Sequence, residues 1–447
     1  MISLARKLRL ADFFSLGFGT MVGVGWLVVM DDWLMRGGPL GAVLAFAIGG
    51  IVLLPIGAVY GHLVRAMPDA AGEIAYTAAV FPRSVSFATG WMMLLAYYIV
   101  CPWEAVAIGR IAGYLFPALN AIELYRVAGK PVFLPHLVIG LALTAFLTVL
   151  NYRGIRLSAT VQNWTTFAVL ALTIGFVSAG ITHGSPQNLH PLFSGPALIS
   201  VVLMLQVIPY FMTGFESIGK ASEEASTEFQ PRRFMLAILL AITVGALFYA
   251  VVTAAVAYVA PWPSLVHERF ATAVAFEHAM GSPWIVKVIM ATALLSLLKI
   301  FNGNFIAASR LLFGLGRRGL ADNRLGYVHP QNRTPSTAVV CLGVATALLM
   351  FAGESILVPI TEVGSLASLL GWMASCAAYL RMRPSSRGRA AAAIGIVVTL
   401  SLLAMKVLPQ VPGHFTHYEW ISLAVWVVVG LSLRRRDSSG EAVHSAK

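Results

Sequence analysis

Three ionisable residues stand inside long apolar runs, where a charge is costly and so points to chemistry. Lys299 lies mid-run in LLSLLKIFNGN, Glu104 in CPWEAVAIGR and Glu216 in VIPYFMTGFES. Such groups are kept in hydrocarbon chiefly to bind ions or small polar molecules and to move protons. Lys299 is read as a proton-coupling group, with a static ion pair as the plainer account. Glu104 follows Pro102, which kinks its helix. It can bind a small amine, pair with Lys299, or neutralise Arg110 farther along the same helix. The last is awkward, because facing positions on a helix lie three or four apart. His414 and His417 lack a third ligand, so no metal is expected there.

Two of the elements that must position these groups are themselves interrupted. GFGTMVGVGW carries Gly17, Gly19, Gly23 and Gly25, each costing a helix ~1 kcal/mol relative to alanine. Close packing would need small residues on one face, whereas these fall on several. The sequence therefore predicts an unwound stretch in mid-span. Such backbone is tolerated at membrane depth only against protein or a water-filled cavity. The spacing is not that of a dinucleotide loop, and no strand precedes it. In VIPYFMTGFES, Pro209 removes a backbone hydrogen bond and Gly214 lets the chain bend again. Breaks at corresponding positions of two halves point to an inverted repeat with a site at the midplane.

Apolar residues make up 58% of the 447 positions and charged residues 11%, against about 25% charged in a soluble domain. A spanning helix takes about 20 apolar residues. Twelve segments qualify: 12–34, 40–64, 85–116, 132–152, 158–181, 197–219, 234–260, 283–315, 336–352, 358–381, 390–408 and 417–433. Placing the N-terminus inside puts 22 of the 31 Lys and Arg residues, Lys220 among them, in inner segments, as the positive-inside rule requires. Trp91 is expected at an inner edge, and Trp262, Trp284 and Trp420 at outer edges. Connections 65–84 and 316–335 are expected to include short surface helices. Cys101, Cys341 and Cys376 read as small core residues, and the tail after Leu433 as disordered. The basic start has no cleavage site after it, so the first apolar segment is kept as a helix. The net charge of +12 is spread over short loops, which suits anionic lipid head groups rather than nucleic acid.

Five stretches, in order, resemble the amino acid–polyamine–organocation permease superfamily. They are GTMVGVG, PDAAGEIAYTAAVFPRSVSFATGW, LNYRGIRLSATVQ, GFESIGKASEEA and RLLFGLGRRGLADNRLGYVHPQNRTPSTA. The resemblance runs along at least helices 1–10 and implies a five-plus-five inverted repeat that works by alternating access. It also implies that N–H groups near Gly23, Val24 and Gly25 seat a substrate carboxylate at a helix N-terminus. Carbonyls from Pro209 to Met212 would take an ammonium, and Tyr210 would gate the substrate. Glu216 would bond across the broken helices. Many proton-coupled relatives carry a lysine in helix 5 that replaces a sodium ion; Val169 stands there in this chain. Lys299, from helix 8, is expected to supply that ammonium instead.

The resulting expectation is an all-α polytopic protein of twelve transmembrane helices with broken helices 1 and 6. Residues 1–382 form the transport core, 383–433 hold helices 11 and 12, and 434–447 form a cytoplasmic tail. The expected function is secondary active transport of amino acids, by proton-coupled symport or exchange, in the cytoplasmic (inner) membrane with both termini cytoplasmic. An amine or polyamine permease and a nontransporting sensor are the alternatives. An enzyme would need a nucleophile–base pair or clustered ligands, and the chain offers neither. A channel fits the paired breaks less well. The substrate contacts expected are Thr20, Met21, Gly23, Val24, Gly25, Tyr97, Cys101, Glu104, Pro209, Tyr210, Phe211, Met212 and Gly214. Lys299 and Glu216 serve coupling and gating. No cofactor is expected, and a proton is favoured over sodium.

Overall fold

The computed structural model describes residues 3–268 and 270–435, so Arg269 and the tail from 436 onward lie outside the described residues. The chain is mostly helical. Nine of the described helices are long and apolar enough to cross a membrane, and helices Ser336–Met350 and His417–Leu433 are shorter apolar ones. Large apolar side chains such as Ile51, Val138, Trp164, Ile174, Leu198, Leu348, Val397 and Val428 are exposed around the bundle. A monomer in water rarely shows so much contiguous apolar surface; lipid contact explains it. This is a multi-pass membrane protein.

The first helix, α1 (Leu10–Met21), opens where Asp12 accepts the N–H of Arg9 at 2.6 Å. After a gap come α2 (Gly25–Val28) and α3 (Met30–Ala66), which is kinked at Gly38, where φ is 62°. A Cβ at Gly38 would lie 2.7 Å from the Phe193 backbone, so only glycine lets the chain turn there. Farther along α3, Gly49, Gly50, Gly57 and Gly61 bring its backbone against Ile208, Ala246, Ile242 and Met235. Small residues allow that approach where lipid supplies no hydrophobic drive between helices. A short helix, α4 (Glu73–Ala78), precedes α5 (Arg83–Tyr98) and α6 (Val100–Leu115), which join near Pro102.

The all-helical expectation needs correction at β1 (Glu123–Val127) and β2 (Lys130–Phe133), an antiparallel hairpin. The polar, glycine-bearing stretch between spans was too short of apolar residues to register as structure. Next come α7 (Leu134–Arg153), α8 (Ile155–Ile181), α9 (Ala197–Leu205), α10 (Ile208–Phe211) and α11 (Ser217–Lys220). The chain continues through α12 (Arg233–Val259), α13 (Ala271–Met280), α14 (Pro283–Arg317), α15 (Ser336–Met350), α16 (Gly353–Arg381), α17 (Ser386–Val407) and α18 (His417–Leu433). The segment read as one span over 197–219 is thus three short helices.

Several placements differ from expectation. Trp91 is buried and stacks on Trp426 with ring centroids 4.4 Å apart, and Trp262 is buried with its N–H on the Pro191 carbonyl. Internal partners hold both indoles, whereas Trp284 and Trp420 are exposed. Cys341 is exposed while Cys101 and Cys376 are buried. Helix α4 is buried rather than lying on the surface, because Glu73 meets Lys220 inside the bundle.

The end of the bundle that carries residues 3–9 is closed by charge. Leu8 bridges to Ala225, and the N–H groups of Lys7 and Leu8 donate to the Glu224 carbonyl. Arg310 holds Glu224 through two nitrogens, both side chains fully buried. Arg317 and Arg318 both reach Asp69, and Arg317 also holds Glu223.

Candidate functional site

The site begins with backbone that helices fail to use. Helix α1 stops because Val22 turns extended, at φ −91° and ψ 104°, and winding resumes at Gly25. Neighbouring helices then claim the freed groups. Tyr249 of α12 donates its hydroxyl to the Met21 carbonyl at 3.1 Å and accepts the Gly23 N–H at 3.3 Å. From α14, Ser296 donates to the Gly23 carbonyl at 2.8 Å and Asn304 to the Thr20 carbonyl at 3.1 Å. Lys299 donates to the Val22 carbonyl. Ser296, Lys299, Gly303 and Asn304 recur at helical spacing, so one stripe of α14 serves the break. A Cβ at Gly303 would meet the Thr20 hydroxyl at 2.4 Å, which is how close the two helices come.

Lys299 is fully buried, its ammonium 4.9 Å from the centre of the Phe18 ring. It approaches neither Glu104 nor any other described carboxylate within 4.0 Å, so the static ion pair is not formed. The ammonium instead sits against the unwound backbone between α1 and α14.

The second break follows α10. Gly214 adopts φ 144°, its N–H donating to Glu216 Oε2 at 3.1 Å. A Cβ there would lie 2.5 Å from the Met21 nitrogen, so the two broken segments touch backbone to backbone. The expected seats are narrower than the sequence implied. The Gly23 N–H is spent on Tyr249, which leaves those of Val24, Gly25 and Trp26 without a protein acceptor. The Pro209 carbonyl accepts the Thr213 hydroxyl at 2.5 Å, which leaves the carbonyls of Tyr210, Phe211 and Met212.

A cavity of about 230 Å³ lies between the breaks. Thr20, Met21, Gly23, Val24, Gly25, Glu104, Tyr210 and Phe211 line it. It runs out to Asp32, Arg36 and Glu362, whose side chains are a third to a half exposed. Arg36 pairs with Asp32 at 2.7 Å, and Lys406 pairs with Glu362 at 2.7 Å. Tyr97, Cys101, Pro209, Met212 and Gly214 were expected there and do not line it. All five are turned into packing; Cys101 donates to the Tyr97 carbonyl, and the Tyr97 ring lies 4.7 Å from the Lys220 ammonium. Lys299 and Glu216 stand behind the wall. Glu104 does not neutralise Arg110, which lines a separate hollow of about 340 Å³ under the β1–β2 hairpin, touched by neither break.

Sequence reasoning missed Trp33, Trp103, Tyr249, Asn304 and Ser368 in the lining. The stripe on α14 was the one signal that could have found Asn304. Lys220, read as a loop charge, is fully buried with its ammonium 2.7 Å from Glu73. The LNYRGIRLSATVQ stretch supplies a buried polar knot: Asn151 and Ser158 both donate to Asn302 Oδ1 at 3.0 Å. Asn302 in turn donates to Gln162 at 2.8 Å, and Gln162 to the Ser15 carbonyl at 3.2 Å.

Tyr249 offers a direct check on this account. Tyr249→Phe keeps the ring but strands the Gly23 N–H and the Met21 carbonyl. Thermal denaturation in detergent should show a loss of about 1–3 kcal/mol, the usual cost of an unmet buried polar group.

Among known proteins, residues 8–432 match the family described as amino acid permease. The methylthioribose transporter of Bacillus subtilis is 23% identical over 438 residues, 96% of this chain and 92% of that protein. The branched-chain amino acid permease BcaP of the same organism is 24% identical over 450 residues, 96% of this chain and 92% of that one. The aspartate–proton symporter of B. subtilis is 22% identical over 346 residues, 75% of this chain and 65% of that protein.

Proposed function

The chain belongs to the amino acid permease family, and from that premise we propose that it is a secondary active transporter of amino acids working by alternating access. One observation carries the reading. A single cavity collects unbonded N–H groups from one broken helix and unbonded carbonyls from another, while the opposite end is closed by buried ion pairs. A carboxylate fits the unbonded N–H groups of Val24 and Gly25, and an ammonium fits the carbonyls of Tyr210 and Phe211. Twelve spans, arranged as two inverted five-helix repeats plus two appended helices, would put that seat at the midplane. With both termini cytoplasmic in the inner membrane, the cavity faces outward.

Lys299 is the proposed coupling group. Its ammonium holds α14 against the unwound backbone of helix 1, where a bound cation would otherwise be needed. Losing the proton would weaken that contact, which Lys299 shares with Ser296 and Asn304. The name of one relative, an aspartate–proton symporter, describes proton coupling in that protein.

Counterflow in proteoliposomes tests the function: labelled amino acid should accumulate only when unlabelled substrate is trapped inside. Leakage without saturation or counterflow would favour a channel, and binding without flux a sensor. An inward proton gradient should stimulate the wild type. In Lys299→Gln, uptake with and without the gradient should be equal. A variant that keeps its gradient response rules Lys299 out as the coupling group.

A further inference from the structure

At the end of the bundle opposite the cavity, arginines from four segments converge on one hollow of about 290 Å³, lined by Ala78, Phe81, Arg83, Ser86, Arg318 and Leu320. Each guanidinium is set in place by a backbone oxygen, a carboxylate or a ring. Arg83, at the start of α5, donates to the Gly319 carbonyl at 3.0 Å. Arg318, just after α14, holds Asp69 at 2.5 Å. Arg381, ending α16, donates to the Val80 carbonyl at 3.2 Å and lies over the Phe81 ring. Arg434, just past α18, lies 5.9 Å from the centre of the Phe87 ring, and the Arg435 N–H donates to the Leu320 carbonyl at 3.0 Å.

This grouping calls for an anion. Arg381 and Arg434 make no ion pair among the described residues, and the one carboxylate that Arg318 holds is shared with Arg317. The Arg318 Nε is buried and has no hydrogen-bond partner among the described residues, an expensive omission for a charged group. The first turn of α5 faces the same space through Arg83 and Ser86, and the positive end of a helix dipole favours negative charge. Guanidinium forks match the oxygens of a phosphate.

The surroundings select the source of that phosphate. Trp91 stacks on Trp426 and so holds α5 against α18. Helix α18 exposes Val425, Val428, Leu431 and Leu433 and ends at Arg434, and Val85 is exposed in the first turn of α5. An apolar surface therefore leads to the basic hollow. A phosphate carried on acyl chains meets both, whereas a phosphate in water meets only the arginines. The ammonium of a zwitterionic head group would face those arginines, and like charges repel, so a head group of net negative charge fits.

We infer that this hollow is a binding site for an anionic glycerophospholipid, its phosphate held by Arg83, Arg318 and Arg434 and its acyl chains laid along α18. Spread positive charge attracts anionic head groups to a whole face; the hollow gives one lipid a fixed seat. Once bound, it ties α5, the turn after α14 and the end of α18 together. The inference stands apart from the transport reading and needs only that the protein lies in a membrane.

The test uses the purified full-length protein in a nonionic detergent. Native mass spectrometry and thermal shift compare dioleoyl phosphatidylglycerol with dioleoyl phosphatidylcholine and with inorganic phosphate. Phosphatidylglycerol should stay bound and raise the melting temperature, and the other two should do neither. Arg83→Gln combined with Arg434→Gln should weaken phosphatidylglycerol binding about tenfold or more, the worth of a hydrogen bond to a charged group. Arg65→Gln combined with Arg232→Gln removes equal charge at another hollow and should bind as the wild type does. Equal losses in the two double variants would overturn the inference, because spread attraction would then suffice. Equal retention of phosphatidylcholine would overturn it too, and so would stabilisation by inorganic phosphate alone, which would make the anion a free one. Should the Arg83 and Arg434 double variant not elute as a folded species, Arg434→Gln alone decides, with an expected loss of about threefold. Its exposed side chain makes no hydrogen bond among the described residues, so that substitution leaves the fold intact.

Discussion

Gly214→Ala should reduce counterflow to the background of empty liposomes. The reason is geometric and twofold. At φ 144° the backbone lies in a region that L side chains rarely adopt, and holding one there costs about 1–3 kcal/mol. The new methyl would also sit 2.5 Å from the Met21 nitrogen, 2.7 Å from the Thr20 carbonyl carbon and 2.9 Å from the Met21 Cα. Those atoms are backbone, fixed by Tyr249 and Asn304, and cannot swing aside as a side chain would. Either the two broken segments separate, destroying the seat, or the chain fails to fold. Gly175→Ala is the control. It lies on the exposed side of α8 with nothing within 4 Å of its would-be Cβ, so it should be neutral or gain up to ~1 kcal/mol in helix propensity. Equal counterflow in the two variants would mean that the contact between the breaks is not needed for transport.

How much of this was legible in the sequence depended on whether a feature was local. Glycine and proline act on their own backbone, so GFGTMVGVGW and VIPYFMTGFES announced their interruptions. Apolar runs of membrane length announced the helices for the same reason. What the sequence did not carry was rotation and partnership. Met212 and Cys101 sit in the right segments, but the turn of each helix points them into packing rather than the cavity. The Gly23 N–H reads as free until Tyr249, more than two hundred residues away, is brought against it. Glu73 and Lys220 lie in stretches that look like solvated loops, because each charge is ordinary by itself; only folding shows that they answer one another. Lys299 was the exception among the ionisable residues. A lone lysine in an apolar run must find something, and its helical stripe with Ser296 and Asn304 already faced one neighbour.

The Glu73–Lys220 pair should show the largest single-site effect on stability. Glu73 Oε1 accepts the Lys220 ammonium at 2.7 Å and the Tyr60 hydroxyl at 3.0 Å, and Ser375 donates to that hydroxyl at 3.0 Å. Both charged side chains are fully buried. Glu73→Ala takes from the buried ammonium its one ion-pair partner, leaving it the Glu216 carbonyl at 3.2 Å and the Tyr97 ring, and breaking such a pair costs about 3–5 kcal/mol. Lys220→Met strands the carboxylate and should cost as much. The double variant Glu73→Gln with Lys220→Met removes both charges, and burying neutral groups in their place is often neutral or stabilising. A cycle of thermal denaturation on the four proteins should therefore give a coupling of at least ~2 kcal/mol, far above the few tenths expected of independent sites. The same pair ties α4 to α11 at the end of the bundle opposite the cavity, the end that the proposed alternating access would have to open. A double variant that is stable yet leaks, moving substrate without counterflow, would show that the charges serve as a latch. If the two single losses simply add, the pair is not a unit, and closure rests on Arg310 with Glu224 instead.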